Sequence, residues 1–374
     1  MVESFGRADS IEGCRPPRRI APMSYLVVVP GALVPASIAP RLLTRAKLPR
    51  LARRLQRARI GPPIHVAGDG AAHLDWLWSR FGAPAGRPVT APYAWRALNQ
   101  TSAIEVPSDQ PIWHVDPVHF ALARDHILLT AFDAASAIAP EESRELAREA
   151  AQILAAFDAT LRVLDSSHWF LSFGPPWPPI TTVGFEAALG NSLERVLPAG
   201  EAAPRWRKVL TEVQIAWHQH PVNRRREAAG VQTINGLWLH GGGTWRELPQ
   251  RPFAAVAADD AIVRGWALAS GLAPAALLPA GEKPAGGTTA LVYLPELRSL
   301  ASLDEWDGWL DALFRLDARI DEHVAQAFAQ GRREVSLVLT GRDFVRSVSL
   351  RRSDTARLWR RNQLTELFSE PGQS

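Results

Sequence analysis

The spacing of hydrophobic positions predicts alternating strands and helices, most clearly in the C-terminal third of the chain. Periods of two residues or short apolar runs indicate strands there, and apolar residues three and four apart indicate helices. The predicted order is strand 253–258, helix 260–270, strand 288–294, helix 303–330 and strand 334–340. A capping box at Ser302 and Glu305 is expected to begin the long helix, and Gly331 to end it. Alternation of this kind is typical of parallel βαβ units.

The N-terminal two thirds of the chain give a less regular pattern. The run Tyr25–Val29 predicts a buried strand that ends at Pro30-Gly31. The other predicted elements are helix 47–59, strand 127–132, helix 141–164, strand 169–173, helix 205–218, a basic loop 220–230, and strand 235–240 running into a turn at Gly241–Gly243. Together these elements predict an α/β fold with three layers and a mainly parallel sheet.

The expected domain organisation follows from where the pattern changes. Residues 1–22 are expected to be a disordered or misannotated leader, with Met23 as the biological start. The predicted divisions are 23–132 and 221–360 as the two parts of an α/β core, 133–220 as a helical insertion or subdomain, and 361–374 as a tail.

Composition excludes several classes of protein. A chain of 374 residues with 47% hydrophobic and 21% charged residues can bury a large core and is far from the composition of disorder. No apolar window is long enough for a membrane span, and the first residues lack the apolar region of a secretory signal. Cys14 is the only cysteine, which excludes intrachain disulfides, thiolate zinc sites and iron–sulfur clusters.

Positive charge is concentrated near the N-terminus. Residues 1–60 hold 12 Lys/Arg and 3 Asp/Glu, a charge of +9, whereas the remainder holds 30 and 35, a charge of −5. The predicted helix 47–59 places Arg50, Arg53, Arg54 and Arg57 in one basic block, a candidate surface for an acidic partner. Nonspecific nucleic-acid binding is an alternative there, although no helix-turn-helix, zinc-finger or RRM signature accompanies the block.

Several segments, taken in order, resemble the cofactor-independent phosphoglycerate mutases of the alkaline-phosphatase superfamily. The family's first strand ends in Asp-Gly, where this chain has Pro30-Gly31, and its T-P-N-L-D-x-L-A helix corresponds to residues 48–55. Its N-x-x-x-x-R-G-x-G segment resembles residues 235–243, its I-D-E-x-V resembles residues 320–324, and its T-G-D-H resembles residues 340–343. The resemblance implies an α/β fold with a phosphate-binding cleft, and Thr90 is a candidate for the family's nucleophile.

The chain departs from that family at the metal ligands. Two divalent ions held by Asp and His activate the nucleophile there. Pro30 replaces the first metal-binding Asp, Arg342-Asp343 replaces an Asp-His pair, and no Asp-x-x-x-His lies between Leu294 and Trp306. We therefore expect a member that has lost its metals and uses no cofactor.

A second resemblance is to the RpfE-type regulatory proteins. The segments that carry it are Asp116–His119, His220–Arg224 and Asn235–Gly243. This resemblance covers most of residues 23–360 and implies a cytoplasmic bacterial protein linked to regulation.

The candidate ligand site combines arginines with a glycine turn. Arginine side chains and free backbone N–H groups suit phosphate and carboxylate. The candidate anion-binding residues are Arg224, Arg225, Arg226, Asn235, His240, Gly241, Gly242 and Gly243. We expect them at the carboxyl ends of the parallel strands, where open α/β sheets bind ligands. A solvated loop and a structural turn are the alternatives.

Two further sets of residues are candidates for metal binding or for acid–base catalysis. His218, His220 and His240 are a possible metal set, although the proline after His220 spoils their geometry; Asp116 and His119 are a possible acid–base pair. No G-x-S-x-G motif is present. The leading hypothesis is a non-catalytic regulatory or scaffold protein that binds a phosphorylated metabolite or a protein partner. The alternative is an active phosphomutase or phosphatase.

Overall fold

A computed structural model describes residues 25–66, 70–99, 109–123, 126–132, 136–174, 179–353 and 362–372. The predicted leader 1–22 and Cys14 lie outside these ranges. The strands are β1 Tyr25–Val29, β2 Arg59–Ile60, β3 Ile64–His65, β4 Ile112–Leu122, β5 Ile127–Thr130, β6 Ala159–Asp165, β7 His168–Phe173, β8 Gly236–Gly243, β9 Ala255–Ala257, β10 Leu277–Leu278, β11 Ala290–Tyr293, β12 Glu334–Thr340 and β13 Phe344–Arg351.

The described helices surround these strands. They are α1 Ala39–Leu43, α2 Ala52–Arg57, α3 Ala72–Arg80, α4 Ala91–Leu98, α5 Pro140–Ala155, α6 Phe185–Ala188, α7 Leu193–Val196, α8 Ala203–His218, α9 Pro221–Ala228, α10 Ala261–Ala269, α11 Arg298–Ser302, α12 Trp306–Ala329 and α13 Leu364–Phe368. No described helix is both long and apolar enough to cross a membrane.

The main sheet has the strand order β10-β9-β11-β1-β12-β13-β2, with β3 also paired to β13. The first five of these strands are parallel to one another, and β13 runs antiparallel to β12. The prediction of a mainly parallel sheet is therefore confirmed, as is the central strand Tyr25–Val29. The run of β-branched residues in β1 fits a strand that is covered on both faces.

Helices cover both faces of the main sheet and make three layers. Tyr25, Val27 and Val29 point into a core formed with α1, α2 and α12, whereas Leu26 and Val28 point into a core formed with α3 and α10. Alternate side chains of one strand thus anchor two opposite layers, because successive residues of a strand face opposite ways.

A second, antiparallel sheet is inserted between β3 and β9. Strand β4 lies at its centre, paired with β8 along one edge and with β7 and then β5 along the other. Helices α5 and α8 pack on this sheet through a core that includes Trp169, Trp206 and Trp217. The inserted part thus contains strands as well as helices, and its sheet begins at Ile112 and ends at Gly243, beyond both ends of the predicted range 133–220.

Helix α4 joins the two sheets. Ala91, Ala94 and Trp95 pack against Ile112 and Phe170 of the second sheet. On its other side α4 lies against α10, and the contact is so close that a Cβ at Gly265 would overlap the Tyr93 carbonyl. A glycine at this position allows the two helices to approach backbone to backbone.

Three predicted elements differ from the structure. The predicted helix 141–164 ends at Ala155, because Asp158 has a left-handed backbone (φ 56°) and the chain turns into β6. The predicted loop 220–230 contains α9, with the His220 side chain capping the Val222 N–H. The predicted helix 47–59 is shortened to α2, since the N–H groups of Arg50 and Leu51 donate to the Asp317 carboxylate instead of beginning a helix earlier.

The predicted start of the long helix is also wrong. Glu305 itself is the N-cap residue of α12, and it makes no side-chain capping bond. The Ser302 hydroxyl instead donates to the Arg298 carbonyl, one turn back in α11. Ser302 is the last residue of α11 and Glu305 is the N-cap residue of α12, so the two cannot form the predicted capping box.

Candidate functional site

A cavity of about 450 Å³ lies between the main sheet and the inserted sheet. One wall comes from α3, α4, the first turn of α10 and Arg298, and the other from β4, β8 and the β6–β7 turn. Asp260 and Arg298 follow the carboxyl ends of β9 and β11, the edge where open parallel sheets bind ligands. The volume is in the range of small-molecule sites, which is about 300–1,000 Å³.

A histidine–aspartate group forms the wall on the inserted sheet. Nε2 of His240 donates to Oδ2 of Asp116 at 2.8 Å. The ring of His114 stacks on that of His240, with centroids 4.9 Å apart and planes 20° from parallel. Burial alone would raise the pKa of Asp116, but the charge and hydrogen bond of His240 lower it below its usual value. Asp116 is therefore a carboxylate at neutral pH.

His114 is buried and has an unused nitrogen. Its residue is 7% exposed, and its Nε2 has no hydrogen-bond partner among the described residues. Burial, and then the charge of His240, lower its pKa to about 3, so the ring is neutral. The neutral ring borders the cavity, whereas its Nε2 atom is itself buried.

Arg298 forms the centre of the opposite wall. Its Nε lies 3.2 Å from Oε1 of Glu186, and its Nη1 lies 3.0 Å from Oδ2 of Asp260. Burial alone would lower the pKa of the guanidinium, but the two carboxylates raise it, so Arg298 is a permanent cation. Burial raises the pKa of Glu186, and the charge of Arg298 opposes that effect.

Thr90 lies at the edge of the cavity, next to a glycine of β8. It precedes α4, is 4% exposed, and its backbone N–H donates to the Gly241 carbonyl at 3.0 Å. A Cβ at Gly241 would overlap the Thr90 hydroxyl and lie 3.1 Å from Cδ2 of His114. The backbone of Gly241 also has φ +62°, which favours glycine. Gly241 thus lets Thr90 and His114 approach the same point.

Several sources of positive potential face the cavity. The starts of α4 and α10 border it, and the N-terminus of a helix carries a partial positive charge. At α10 the Asp260 carboxylate already accepts from the N–H groups of Ile262 and Val263. Arg87, which is exposed, adds a guanidinium at the rim and donates from Nη1 to the Thr182 carbonyl at 2.8 Å. Arg298 is the second arginine of the lining, and the lining also holds four carboxylates, those of Asp75, Asp116, Glu186 and Asp260. Arg298 pairs with two of them, Glu186 and Asp260, so the positive groups attract an anion only locally.

The structure brings together only part of the predicted anion site. His240, Gly241 and Gly242 line the cavity, whereas Gly243 lies beside Val89 at the end of β8. Asn235 bonds through its side chain to the N–H and carbonyl of Phe120, which ties the start of β8 to β4.

The three arginines of the predicted site lie elsewhere, on α9. Arg225 pairs with Glu145 at 3.1 Å, and Arg226 pairs with Glu142 at 2.7 Å, both on α5. Arg224, on the same helix, is exposed and does not line the cavity. The expectation that Arg224–Arg226 approach the glycines is therefore corrected: they belong to a helix that packs on α5, not to a loop at the cavity.

The other predicted chemical sets do not form. His218 is exposed and His220 caps α9, so neither joins His240. Asp116 does not pair with His119, whose Nδ1 lies 2.8 Å from the Thr233 carbonyl. A cross-strand pair takes its place, since β4 and β8 set His114 opposite His240 and Asp116 lies two residues further along the same face.

The basic block 47–59 lies against acidic residues of α12. Arg54 of the block pairs with Asp321 at 2.6 Å, and Arg45, just before the block, pairs with Asp307 at 2.7 Å, which neutralises part of the local charge. Arg50, Arg53, Arg54 and Arg57 still surround a shallow cavity of about 560 Å³. Binding of an acidic partner there stays a prediction.

The residues do not fit the two metal ions that the family resemblance implies. Pro30 is buried and offers no ligand atom, and Arg342 is exposed with its N–H donating to Glu370. Within the described ranges, no three His, Cys, Asp or Glu side chains are placed to hold a metal ion.

The buried histidines predict that stability depends on pH. Burial is the first cause that lowers the pKa of His73 and His114 to about 3 and that of His323 to about 4. Below pH 6.5 the unfolded chain binds protons that the folded chain does not, so the free energy of unfolding falls as the pH is lowered. Each histidine contributes about 1.4 kcal/mol per pH unit between roughly pH 6 and 4.

The histidine prediction is tested by chemical unfolding of the His114→Gln variant between pH 7 and 4. We expect the slope of stability against pH to fall by about 1.4 kcal/mol per unit relative to the parent. The same substitution at the exposed His218 controls for the loss of one histidine. A slope that is unchanged in His114→Gln would contradict a buried neutral ring.

Comparison with known proteins gives a fold but no family. No family model and no curated protein sequence matches this chain. The structure of PH0037 protein from Pyrococcus horikoshii is similar with a TM-score of 0.53 and 15% identity over 92% of this chain and 91% of that chain. The cofactor-independent phosphoglycerate mutase from Thermoplasma acidophilum DSM 1728 aligns over 92% of this chain and 99% of that chain, with a TM-score of 0.39 and 13% identity. The likeness to PH0037 shows a shared fold.

Proposed function

We propose that this chain is a binding protein for a small phosphorylated molecule, which occupies the cavity between the two sheets. The observation that carries the proposal is that Arg298, Arg87, the neutral ring of His114 and the N-terminal end of α4 line one cavity. Backbone N–H groups at helix N-termini and arginine side chains are the usual partners of phosphate in proteins.

A phosphate group also fits the cavity better than a simple carboxylate would. The polar groups come from opposite walls, with Arg298 and the start of α4 on one side and the ring of His114 on the other. Phosphate oxygens point in several directions and can accept from both walls at once, whereas the two oxygens of a carboxylate lie in one plane. The remaining volume accommodates an organic group attached to the phosphate.

The role that such binding would serve is proposed from the sequence. The resemblance to RpfE-type proteins supports a regulatory function in the bacterial cytoplasm, in which the ligand would report the level of a metabolite. The resemblance to phosphoglycerate mutases supports a phosphorylated ligand rather than another anion.

The proposal is tested by thermal unfolding with a panel of phosphorylated metabolites and inorganic phosphate. A ligand that binds only the folded chain raises the unfolding temperature of the parent. We expect Arg87→Ala to weaken the binding by about tenfold or more, since a hydrogen bond to a charged group contributes about 1.5–3 kcal/mol. Arg225→Ala is the matched control, because Arg225 pairs with Glu145 away from the cavity.

The outcome of the panel decides the proposal. Binding that Arg87→Ala weakens and Arg225→Ala leaves unchanged would support the cavity as the site. Equal effects of the two substitutions, or no response of the parent to any phosphorylated compound, would contradict it.

A second candidate function is phosphoryl transfer, as in a phosphatase or phosphomutase. It is favoured by one observation: the Thr90 hydroxyl, at the N-terminus of α4, borders the same cavity as the Asp116–His240 pair. Phosphatase and mutase assays with and without manganese test it. Turnover that is lost in Thr90→Val would favour this function, whereas ligand binding without turnover would favour the first.

A further inference from the structure

Arg298 bridges two acidic side chains that come from different parts of the chain. Glu186 belongs to the short helix α6 of the inserted part, and Asp260 is the N-cap residue of α10. Arg298 lies 3.2 Å from the first and 3.0 Å from the second. The guanidinium therefore holds the inserted part against the edge of the main sheet.

A glycine brings Arg298 to this position. Gly31 follows β1 with φ +73°, and a Cβ there would lie 2.6 Å from the Leu297 carbonyl oxygen and 2.9 Å from Cα of Arg298. The end of β1 and the loop after β11 can thus approach only because residue 31 has no side chain. This close approach sets Arg298 directly beyond the strands of the main sheet.

A buried histidine next to the same carboxylates has an unused nitrogen. His73 is 2% exposed, and its Nε2 has no hydrogen-bond partner among the described residues. That Nε2 lies 3.9 Å from Oε1 of Glu186, beyond hydrogen-bond distance. Burial first, and then the charge of Arg298, lower the pKa of His73 to about 3, so its ring is neutral and keeps a lone pair.

By residue type, His73, Glu186 and Asp260 suit a divalent ion, but with Arg298 between the two carboxylates the three are not placed to hold one. A neutral imidazole and two carboxylates are ligands that manganese and zinc accept. A guanidinium between the two carboxylates already neutralises them, and its charge repels a second cation. The Nε2 of His73 has no partner among the described residues because the nearby cation is the Arg298 guanidinium, which offers no site for a lone pair to bind as a metal ion would. This arrangement is explained if the guanidinium occupies the position of an ion.

We propose that Arg298 is a built-in cation in a place where His73, Glu186 and Asp260 would otherwise bind a divalent metal ion. The cavity then receives its anionic ligand without a metal, a consequence that rests on the proposed function. A guanidinium has five N–H donors, more than its two carboxylate contacts use, and Arg298 lines the cavity. The same group can therefore bind the carboxylates and the ligand at once.

The experiment compares the full-length parent, Arg298→Ala and the double variant Arg298→Ala/His73→Ala. Their unfolding temperatures are measured in EDTA and in manganese chloride. We expect no manganese effect on the parent. Arg298→Ala should unfold at a lower temperature in EDTA, because two carboxylates lose their cation, and manganese should raise that temperature by several degrees. The added His73→Ala change should remove most of the manganese effect.

Other outcomes overturn the proposal. A manganese effect of equal size in the parent would show that Arg298 does not exclude the ion. Absence of an effect in a folded Arg298→Ala variant, or an effect that persists without His73, would show that these residues do not form a metal site. If Arg298→Ala does not fold in EDTA, refolding from urea is compared with and without manganese. Recovery only with manganese is then the expected result, and no recovery in either condition contradicts the proposal.

A parallel titration of the parent with inorganic phosphate separates this inference from the proposed function. Phosphate binding that is the same in EDTA and in manganese is expected. Failure of the parent to bind phosphate or any phosphorylated compound would contradict the proposed function alone, since the metal response of the variants is measured without phosphate.

Discussion

The Arg226→Ala substitution is expected to lower the free energy of unfolding by about 3–5 kcal/mol, since it removes one partner of a buried ion pair. Arg226 is 4% exposed and pairs with Glu142 of α5 at 2.7 Å. Its side chain also donates to the carbonyls of Gln232 and Ser136. Removing the guanidinium leaves a carboxylate and two carbonyls without their donor, and α9 loses its link to α5.

Arg225→Ala is the matched control for Arg226→Ala. It removes an arginine one residue away that also pairs with a glutamate of α5, but in that pair Arg225 is exposed and Glu145 is partly exposed. Exposed ion pairs contribute about 0–1 kcal/mol, so the control should unfold almost like the parent. Urea unfolding of the three proteins measures the difference. Equal losses in the two variants would mean that Arg226 is not buried in a charged network.

Gly241→Ala is expected to lower the free energy of unfolding by about 2–5 kcal/mol and to abolish ligand binding in the cavity. A left-handed backbone costs an alanine about 1–2 kcal/mol, and forcing an extra methyl group into a packed site costs about 1–3 kcal/mol more. The new Cβ would overlap the Thr90 hydroxyl. Thr90 and the first turn of α4 would then have to move away from β8.

The control for Gly241→Ala separates backbone strain from the steric overlap. Gly271 also has a left-handed backbone, with φ +82°, but an added Cβ there meets no atom within 4 Å. Gly271→Ala should therefore cost only about 1–2 kcal/mol and leave ligand binding unchanged. Thermal unfolding and ligand titration of both variants test the pair. A Gly241→Ala variant that behaves like Gly271→Ala would show that the contact between Thr90 and β8 is not tight.

The predicted alternation of strands and helices agrees with the structure where the hydrophobic pattern was periodic. Strand β12 spans the predicted residues, and α10 lies within one residue of its predicted bounds at each end. Helix α12 begins three residues later and ends one residue earlier than predicted. Strand β13 gave no separate prediction. It pairs antiparallel with β12. Because polar residues alternate along it, its hydrophobic pattern is weaker than that of the long helix.

The helix predicted at 141–164 shows why some boundaries were wrong. Its apolar residues continue at spacings of three and four past Ala155, but Leu161 and Val163 belong to β6, where they pack on the same core from a strand. Residues of α5 and of β6 pack on the same core, and their apolar positions happen to continue at spacings of three and four across the boundary between the two elements. Only Asp158, with its left-handed backbone, marks the change.

Part of the candidate site was predicted because some of its residues lie next to one another in the sequence. His240, Gly241 and Gly242 were found from the glycine run, and they line the cavity. The spacing His114-x-Asp116 carried a further signal, since residues two apart on a strand share a face. That signal has meaning only when β8 is known to be the neighbour of β4, and sequence spacing does not give strand pairing.

The sequence by itself determined the buried parallel strands, the long helix α12 and the absence of disulfides, because each depends on residue types and short-range periodicity. Only the tertiary structure decided which charges meet. Asp116 with His240, and Arg298 with Glu186 and Asp260, are separated by between 38 and 124 positions along the chain. Arg226 likewise pairs with Glu142, 84 positions away, and this pairing holds it against α5 and not at the cavity where the sequence predicted it. Electrostatic pairing depends on distance in space, and that distance is fixed by how the two sheets pack around α4.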